Sequence, residues 1–212
     1  MNWVLPLIAA YLLGSIPVGL LIGLAKGVDV RKHGSGNIGA ANVVRLLGLK
    51  WGAVSMLGDA LKGALAVLVC RLVGDWTDLA APSAIVLTAL GAAFAIVGHN
   101  WSVFLMFRGG KGIATSLGTC FVIEWRIALT CFVIWVVVVA ITRYASIGSL
   151  LGTAAAGVLG VAFLDERPYQ LLFVLVPVFG VIRHHANIRR LIAGTEAKLS
   201  QRGDSGERES AE

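Results

Sequence analysis

Apolar residues run almost unbroken through seven stretches of this chain, and most polar residues are gathered into a few short clusters between or beside them. The stretches are 3–25, 52–74, 79–98, 112–124, 126–142, 146–164 and 169–183. A helix needs about 20 apolar residues to cross the hydrocarbon core of a bilayer. The pattern therefore predicts an all-α integral membrane protein, a bundle of seven transmembrane helices. The fourth and fifth stretches are short enough that a single kinked helix could replace them. Small residues recur inside the spans, at Gly14, Gly19, Gly23 and in the AAAG of 154–157. They suit close helix approach in lipid, where packing drives association. Pro17 is expected to kink the first span.

Charge decides between the two ways of counting. With seven spans and the N-terminus outside, the inner segments collect Lys26, Arg31, Lys32, Arg45, Lys50, Arg108, Lys111 and Arg143, together with six basic residues from Arg183 to Arg208. The opposite loops carry Asp75, Asp78, Glu124, Asp165 and Glu166, with Arg126 and Arg167. This asymmetry follows the positive-inside rule. Merging the fourth and fifth spans would put the basic C-terminal segment on the wrong side. The expected topology is N-terminus outside and C-terminus cytoplasmic.

Composition agrees with that class. Hydrophobic residues make up 57% of 212 positions and charged residues 14%, against about 25% charged in soluble domains. The mean hydropathy is +0.82. The net charge of +6 is explained by orientation, so nucleic acid is not an expected partner. Residues 1–199 read as one membrane-embedded domain, and the polar tail of 200–212 is expected to be disordered. Cys70, Cys120 and Cys131 lie within apolar runs without metal or redox spacing, so they read as buried core residues. No carboxylate or histidine cluster has metal-ligand spacing, and neither a metal nor a cofactor is expected.

Four polar clusters remain to be explained. The first is GSGNIGAANVVR, residues 34–45, read as a loop. Gly34, Gly36 and Gly39 let backbone N–H groups converge on an anion. Ser35, Asn37 and Asn42 add side-chain hydrogen bonds, and Arg45 offers a fork for phosphate. The literal GxGxxG within it is not a dinucleotide fingerprint, because no strand precedes it. An ordinary connecting loop is the plain alternative. The second cluster, GDALKG at 58–63, puts Asp59 and Lys62 on one helix face inside a span. They are either a structural ion pair or a source of positive charge for a substrate. The third, GHNWSVFLMFRGGKG at 98–112, fails as a Walker A loop because Leu105 and Gly112 occupy two of its required positions. Gly109, Gly110 and Lys111 at a helix start still combine free N–H groups, a positive dipole end and an ammonium. For His99 a structural hydrogen bond outweighs a catalytic role. The fourth, HHANIRRLIAGTE at 184–196, has His184 and Asn187 at i,i+3, and His184 is a candidate base. Arg189 and Arg190 suit anionic lipid headgroups without specificity.

Those four clusters, in that order and within seven spans, resemble the bacterial acyl-phosphate:glycerol-3-phosphate acyltransferases of the PlsY type. The likeness runs from about Leu13 to Glu196. It implies transfer of a fatty acyl group from acyl phosphate, rather than acyl-CoA, to the 1-hydroxyl of glycerol 3-phosphate. Lysophosphatidic acid and phosphate are the products, in the first step of phospholipid synthesis. It also implies a bacterial plasma (inner) membrane location, with the active site facing the cytoplasm among membrane lipids. By the same resemblance Ser35, Asn37, Arg45, Lys111, His184 and Asn187 line the phosphate sites, with Lys62 and Glu196 beside them. The anhydride is already activated, so positioning and electrostatic stabilisation can supply most of the rate. Either His184 or a substrate phosphate oxygen takes the hydroxyl proton. A covalent role for Ser35 lacks a readable Ser-His-Asp order. A transporter for a phosphorylated metabolite would suit the intramembrane charges, but the halves of the chain show no internal repeat. No obligate protein partner is readable.

Overall fold

Each predicted span coincides, to within three residues at either end, with a helix or a pair of helices in the computed structural model, which describes residues 3–199. Helices α1 (Val4–Ser15) and α2 (Val18–Ala25) form the first span, broken at Ile16–Pro17. Pro17 supplies no N–H, so the helical ladder ends where the sequence predicts a kink. A short amphipathic α3 (Ala40–Leu47) leads into the long α4 (Leu49–Trp76). Then come α5 (Ala81–Asn100), α6 (Ile113–Ile123), α7 (Trp125–Thr142), α8 (Ala145–Phe163), α9 (Arg167–Arg183) and α10 (His185–Ile192). No strand occurs among the described residues.

Five of these segments are long and apolar enough to cross a membrane, and α9 with α10, bent by 59°, makes a sixth. The predicted fourth span is α6, which has only 11 residues. At 1.5 Å per residue it covers about 16 Å, roughly half of the hydrocarbon core. It is not the first half of one kinked helix with α7. Glu124 between them is extended, and its carboxylate accepts the Arg126 amide at 3.1 Å as an N-cap. That cap starts a new helix. The expected disorder of 200–212 lies outside the described residues.

Polarity is inverted relative to a soluble protein. Along α4, Ser55, Asp59 and Lys62 are buried while Leu57, Leu61, Leu65 and Leu68 are exposed. A lipid-facing helix buries its polar stripe against its neighbours, because backbone and side-chain polar groups have no water to turn to outside. Close packing needs small residues. A Cβ on Gly14 would strike the Ala95 carbonyl of α5, and one on Gly118 would strike the Ala60 carbonyl of α4. The second contact lets α6 lie close against α4. Cys70, Cys120 and Cys131 are buried and unpaired.

One boundary differs from the sequence reading. Residues 34–45 are not all loop, because α3 starts at Ala40. Its Asn42 and Val43 face inward, and Val43 packs with Leu20, Val30 and Ile38 in a small cluster beneath the loop. That amphipathic turn anchors the glycine-rich segment to the bundle.

Candidate active site

The glycine-rich loop is held from within. Gly34 and Gly36 have φ of +59° and +68°, conformations in which a side chain is strained. The Asn42 carboxamide accepts the Ser35 amide at 2.9 Å and donates to the Val30 and His33 carbonyls. Asn37 Oδ1 accepts the Gly39 amide at 2.9 Å, which closes the turn into α3. The loop thereby presents Ser35, Asn37 and Gly39 to a cavity of about 150 Å³.

Lys111 enters the same cavity from a different element. Gly109 and Gly110 donate their amides to the Asn100 and His99 carbonyls at the end of α5. Gly112, at φ +77°, then turns the chain into α6. The first-turn amides of a helix have no intrahelical acceptor, and Ile113 and Ala114 line the cavity. Lys111 Nζ donates to Asn187 Oδ1 at 2.6 Å. Asn187 Nδ2 in turn donates to Glu196 Oε1 at 2.5 Å. Glu196 also receives Ser146 Oγ at 2.9 Å and Arg190 Nε at 2.7 Å. Burial tends to raise the Glu196 carboxyl, but these three donors outweigh it and hold the group below its ordinary value. Lys111 moves the other way. Burial is the largest cause; Glu196 opposes it, Arg190, Arg45 and Arg183 reinforce it, and the ammonium falls to about 8. An incoming phosphate would favour the charged form further.

His184 follows α9 and is 2% exposed. Its Nδ1 lies 2.8 Å from the Gly180 carbonyl. A carbonyl only accepts, so Nδ1 carries the proton and Nε2 of the neutral ring is left as an acceptor. Arg45, in the last turn of α3, donates to the Ala197 and Lys198 carbonyls at 2.8 and 3.3 Å, which ties α3 to the chain beyond α10.

Of the residues predicted from sequence, the cavity gathers Ser35, Asn37, Gly39, Asn42, Arg45, Lys111, His184, Asn187 and Glu196. Asn42 reaches it with its side chain already spent on the loop backbone. Gly34, Gly36, Gly109 and Gly110 do not line it; they shape the turns that deliver Ser35 and Lys111. Lys62 does not line it either. It pairs with Asp59 at 2.8 Å and donates to the Ile16 carbonyl at the break in the first span, so of the two sequence readings the geometry matches the ion pair. Asp59 and His99 do line the cavity, 3.5 Å apart. Ser146 was not readable from sequence: a serine opening an apolar helix carries no signal until Glu196 is seen beside it. Among the described residues no three His, Cys, Asp or Glu side chains lie together to hold a metal.

Away from these groups the cavity becomes apolar. Its lining from α6, α7, α8 and α9 includes Leu117, Ala128, Cys131, Gly152, Ala156 and Val176. One cavity therefore joins a cationic, amide-lined mouth to an apolar arm.

A family model described as glycerol-3-phosphate acyltransferase matches residues 4–194. The chain belongs to that family. Glycerol-3-phosphate acyltransferase 2 of Moorella thermoacetica is 43% identical over 201 residues, covering 94% of this chain and 99% of that protein. A glycerol-3-phosphate acyltransferase of Thermus thermophilus is 44% identical over 206 residues, covering 94% and 96%. The crystal structure of PlsY, an integral membrane glycerol 3-phosphate acyltransferase, in its glycerol 3-phosphate form has a TM-score of 0.83 at 35% identity, over 92% of this chain and 94% of that one. Its lysophosphatidic acid form has a TM-score of 0.80 at 34% identity, over 94% and 96%. Membership of this family makes the chain a multi-pass integral membrane acyltransferase, and the likeness spans nearly its whole length.

Proposed function

We propose that this enzyme transfers a fatty acyl group from acyl phosphate to the 1-hydroxyl of glycerol 3-phosphate, giving lysophosphatidic acid and inorganic phosphate. The single observation that carries this reading is the continuity of the cavity: Arg45 and Lys111 at a polar mouth, and an apolar arm leading away between α6 and α9. Both substrates bring a phosphate, and one brings an alkyl chain. Arg45 and Lys111 hold and neutralise the phosphates, Ser35 and Asn37 orient them, and His184, Asn187 and Glu196 complete the wall.

In the reaction the 1-hydroxyl oxygen forms a bond to the acyl carbonyl carbon, and the carbonyl–phosphate C–O bond breaks with its electron pair leaving on phosphate. The hydroxyl proton goes to His184 Nε2 or to a phosphate oxygen. A buried cationic site stabilises the charge on the departing phosphate without reorganisation. The rate of His184→Ala tests the first acceptor. A rate within tenfold of wild type removes histidine as the essential base and leaves the proton to phosphate, since general bases contribute about 10²–10⁴-fold.

Seven crossings, with the N-terminus outside and the site on the cytoplasmic side of the bacterial plasma membrane, fit the same arrangement. Lys111 precedes α6 and Ser146 follows α7, and both line one cavity, so α6 and α7 run out and back. That supports counting the short α6 as a crossing, and the positive-inside asymmetry supplies the orientation.

The test is purified protein supplied with glycerol 3-phosphate and either acyl phosphate or acyl-CoA. Lysophosphatidic acid with phosphate release from acyl phosphate alone supports the reading. No product from either donor overturns it, and product from acyl-CoA overturns the choice of donor.

A further inference from the structure

Arg183 ends α9 and is half-buried, yet it does not line the cavity. Its guanidinium instead grips the backbone that carries Lys111. Nε donates to the Gly110 carbonyl and Nη2 to the Gly109 carbonyl, each at 2.8 Å. Its central carbon stands 5.5 Å from the centre of the Trp101 ring. The amides of the same two glycines are taken by the Asn100 and His99 carbonyls. Both sides of the glycine pair are therefore pinned, to the end of α5 on one side and to the end of α9 on the other. The side-chain side is closed as well, because a Cβ on Gly110 would strike His99 Nε2.

A glycine pair directly before a functional lysine needs such a restraint. Glycine has the widest choice of backbone conformations, and misplacing a binding group by about 1 Å can cost on the order of 100-fold in rate. The planar guanidinium fork matches two consecutive carbonyls; an ammonium at the same place is a point donor and cannot reproduce the fork. The residue after Arg183 is His184, whose ring lines the cavity, so the same grip fixes the GGKG segment relative to the His184–Asn187 segment.

We propose that Arg183 is a positioning residue of the active site, which locks the Gly109–Gly110 backbone so that the Lys111 ammonium meets the substrate phosphate. This rests on the reading of Lys111 as a phosphate-binding group. Arg183 acts through Lys111 and through the register of the two segments, without touching substrate.

The test is a double-mutant cycle on the purified full chain, reading kcat/KM with acyl phosphate and glycerol 3-phosphate, and thermal unfolding alongside. Arg183→Met is expected to lose about 10- to 100-fold while unfolding close to wild type, and Arg183→Lys to lose less. Combined with Lys111→Arg, which keeps a cation, the losses should overlap and fall short of their product. Losses that multiply would make Arg183 independent of Lys111, and activity of Arg183→Met within about twofold of wild type would remove the role; either overturns the proposal. Should Arg183→Met not fold, the same cycle with Arg183→Lys decides by the same criterion. Lys111→Gln separates the two layers. If it keeps wild-type turnover, the phosphate-binding role of Lys111 falls and this inference with it. If it is inactive while Arg183→Met is unimpaired, the inference alone falls.

Discussion

The Lys111 ammonium donates to the Asn187 carboxamide oxygen at 2.6 Å, across 76 positions of sequence. This bond joins the GGKG segment to the segment after α9, and Asn187 passes the connection on to Glu196. Asn187 can do so because a carboxamide offers an acceptor to the cation and a donor to the carboxylate at once. Neither an aspartate nor a leucine could. Asn187→Leu is therefore expected to lower kcat/KM by about 100-fold with the helices retained by circular dichroism. Activity within a few-fold of wild type would show that Lys111 keeps its place without the bridge.

The depressed Lys111 value gives a pH dependence. The ammonium is the phosphate-binding form, so kcat/KM should hold on the acid side and decline as the pH rises through about 8. Glu196 raises Lys111 against burial and against Arg190, Arg45 and Arg183. Glu196→Gln removes the one group among these that favours the charged form, so its decline should begin at lower pH than in the wild type. A pH–rate series on both proteins checks the sign.

Arg45 serves the mouth of the cavity and the chain beyond α10 with one guanidinium, which bonds the Ala197 and Lys198 carbonyls. A lysine keeps the charge and loses the fork. Arg45→Lys should raise the KM for a phosphate substrate by about tenfold, the equivalent of about 1.4 kcal/mol. Steady-state kinetics with each substrate varied in turn would show which phosphate it holds.

Lys62 and Asp59 are both nearly inaccessible. Taking away the lysine alone strands a buried carboxylate, a change that costs about 3–5 kcal/mol in comparable pairs. It also leaves the Ile16 carbonyl without its Lys62 donor. Lys62→Met should lower the thermal unfolding midpoint sharply, and Asp59→Asn combined with Lys62→Met should recover part of it. A single mutant as stable as wild type would argue that the pair is not structural.

The apolar lining includes small residues, among them Ala156, which is 4% exposed in the cluster that includes Ala128 and Phe173. A larger side chain there shortens the arm without touching the mouth. Ala156→Leu should disfavour long acyl phosphates relative to short ones by about tenfold or more, with the KM for glycerol 3-phosphate unchanged. An unchanged chain-length profile would place the acyl chain elsewhere.

The spans, their breaks and the polar clusters were legible because each has a local cause. Pro17 ends a helical ladder wherever it sits, and a run of apolar residues is a membrane segment whatever it packs against. The length of α6 was less legible, since Ile113–Ile123 is apolar through to Glu124 and only the cap at Glu124 separates it from α7. Ser146 was invisible for a different reason: its role exists only through Glu196, 50 positions away. The loop at 34–45 is shorter than its glycine-rich sequence suggests, because Ala40–Leu47 becomes helical by burying Asn42 and Val43 against the bundle.

Sequence by itself determined the membrane class, the apolar helical stretches and the chemical character of the four clusters, since hydropathy, proline and charge act over a few neighbouring residues. Tertiary structure decided which members of those clusters meet. Packing turned Lys62 towards Asp59 and the broken helix at Ile16, set Arg183 against the backbone before Lys111, and brought Lys111, Asn187, Glu196 and Ser146 into one hydrogen-bonded chain. Those outcomes depend on where helices cross, and a crossing is fixed by the fit of surfaces far apart in sequence.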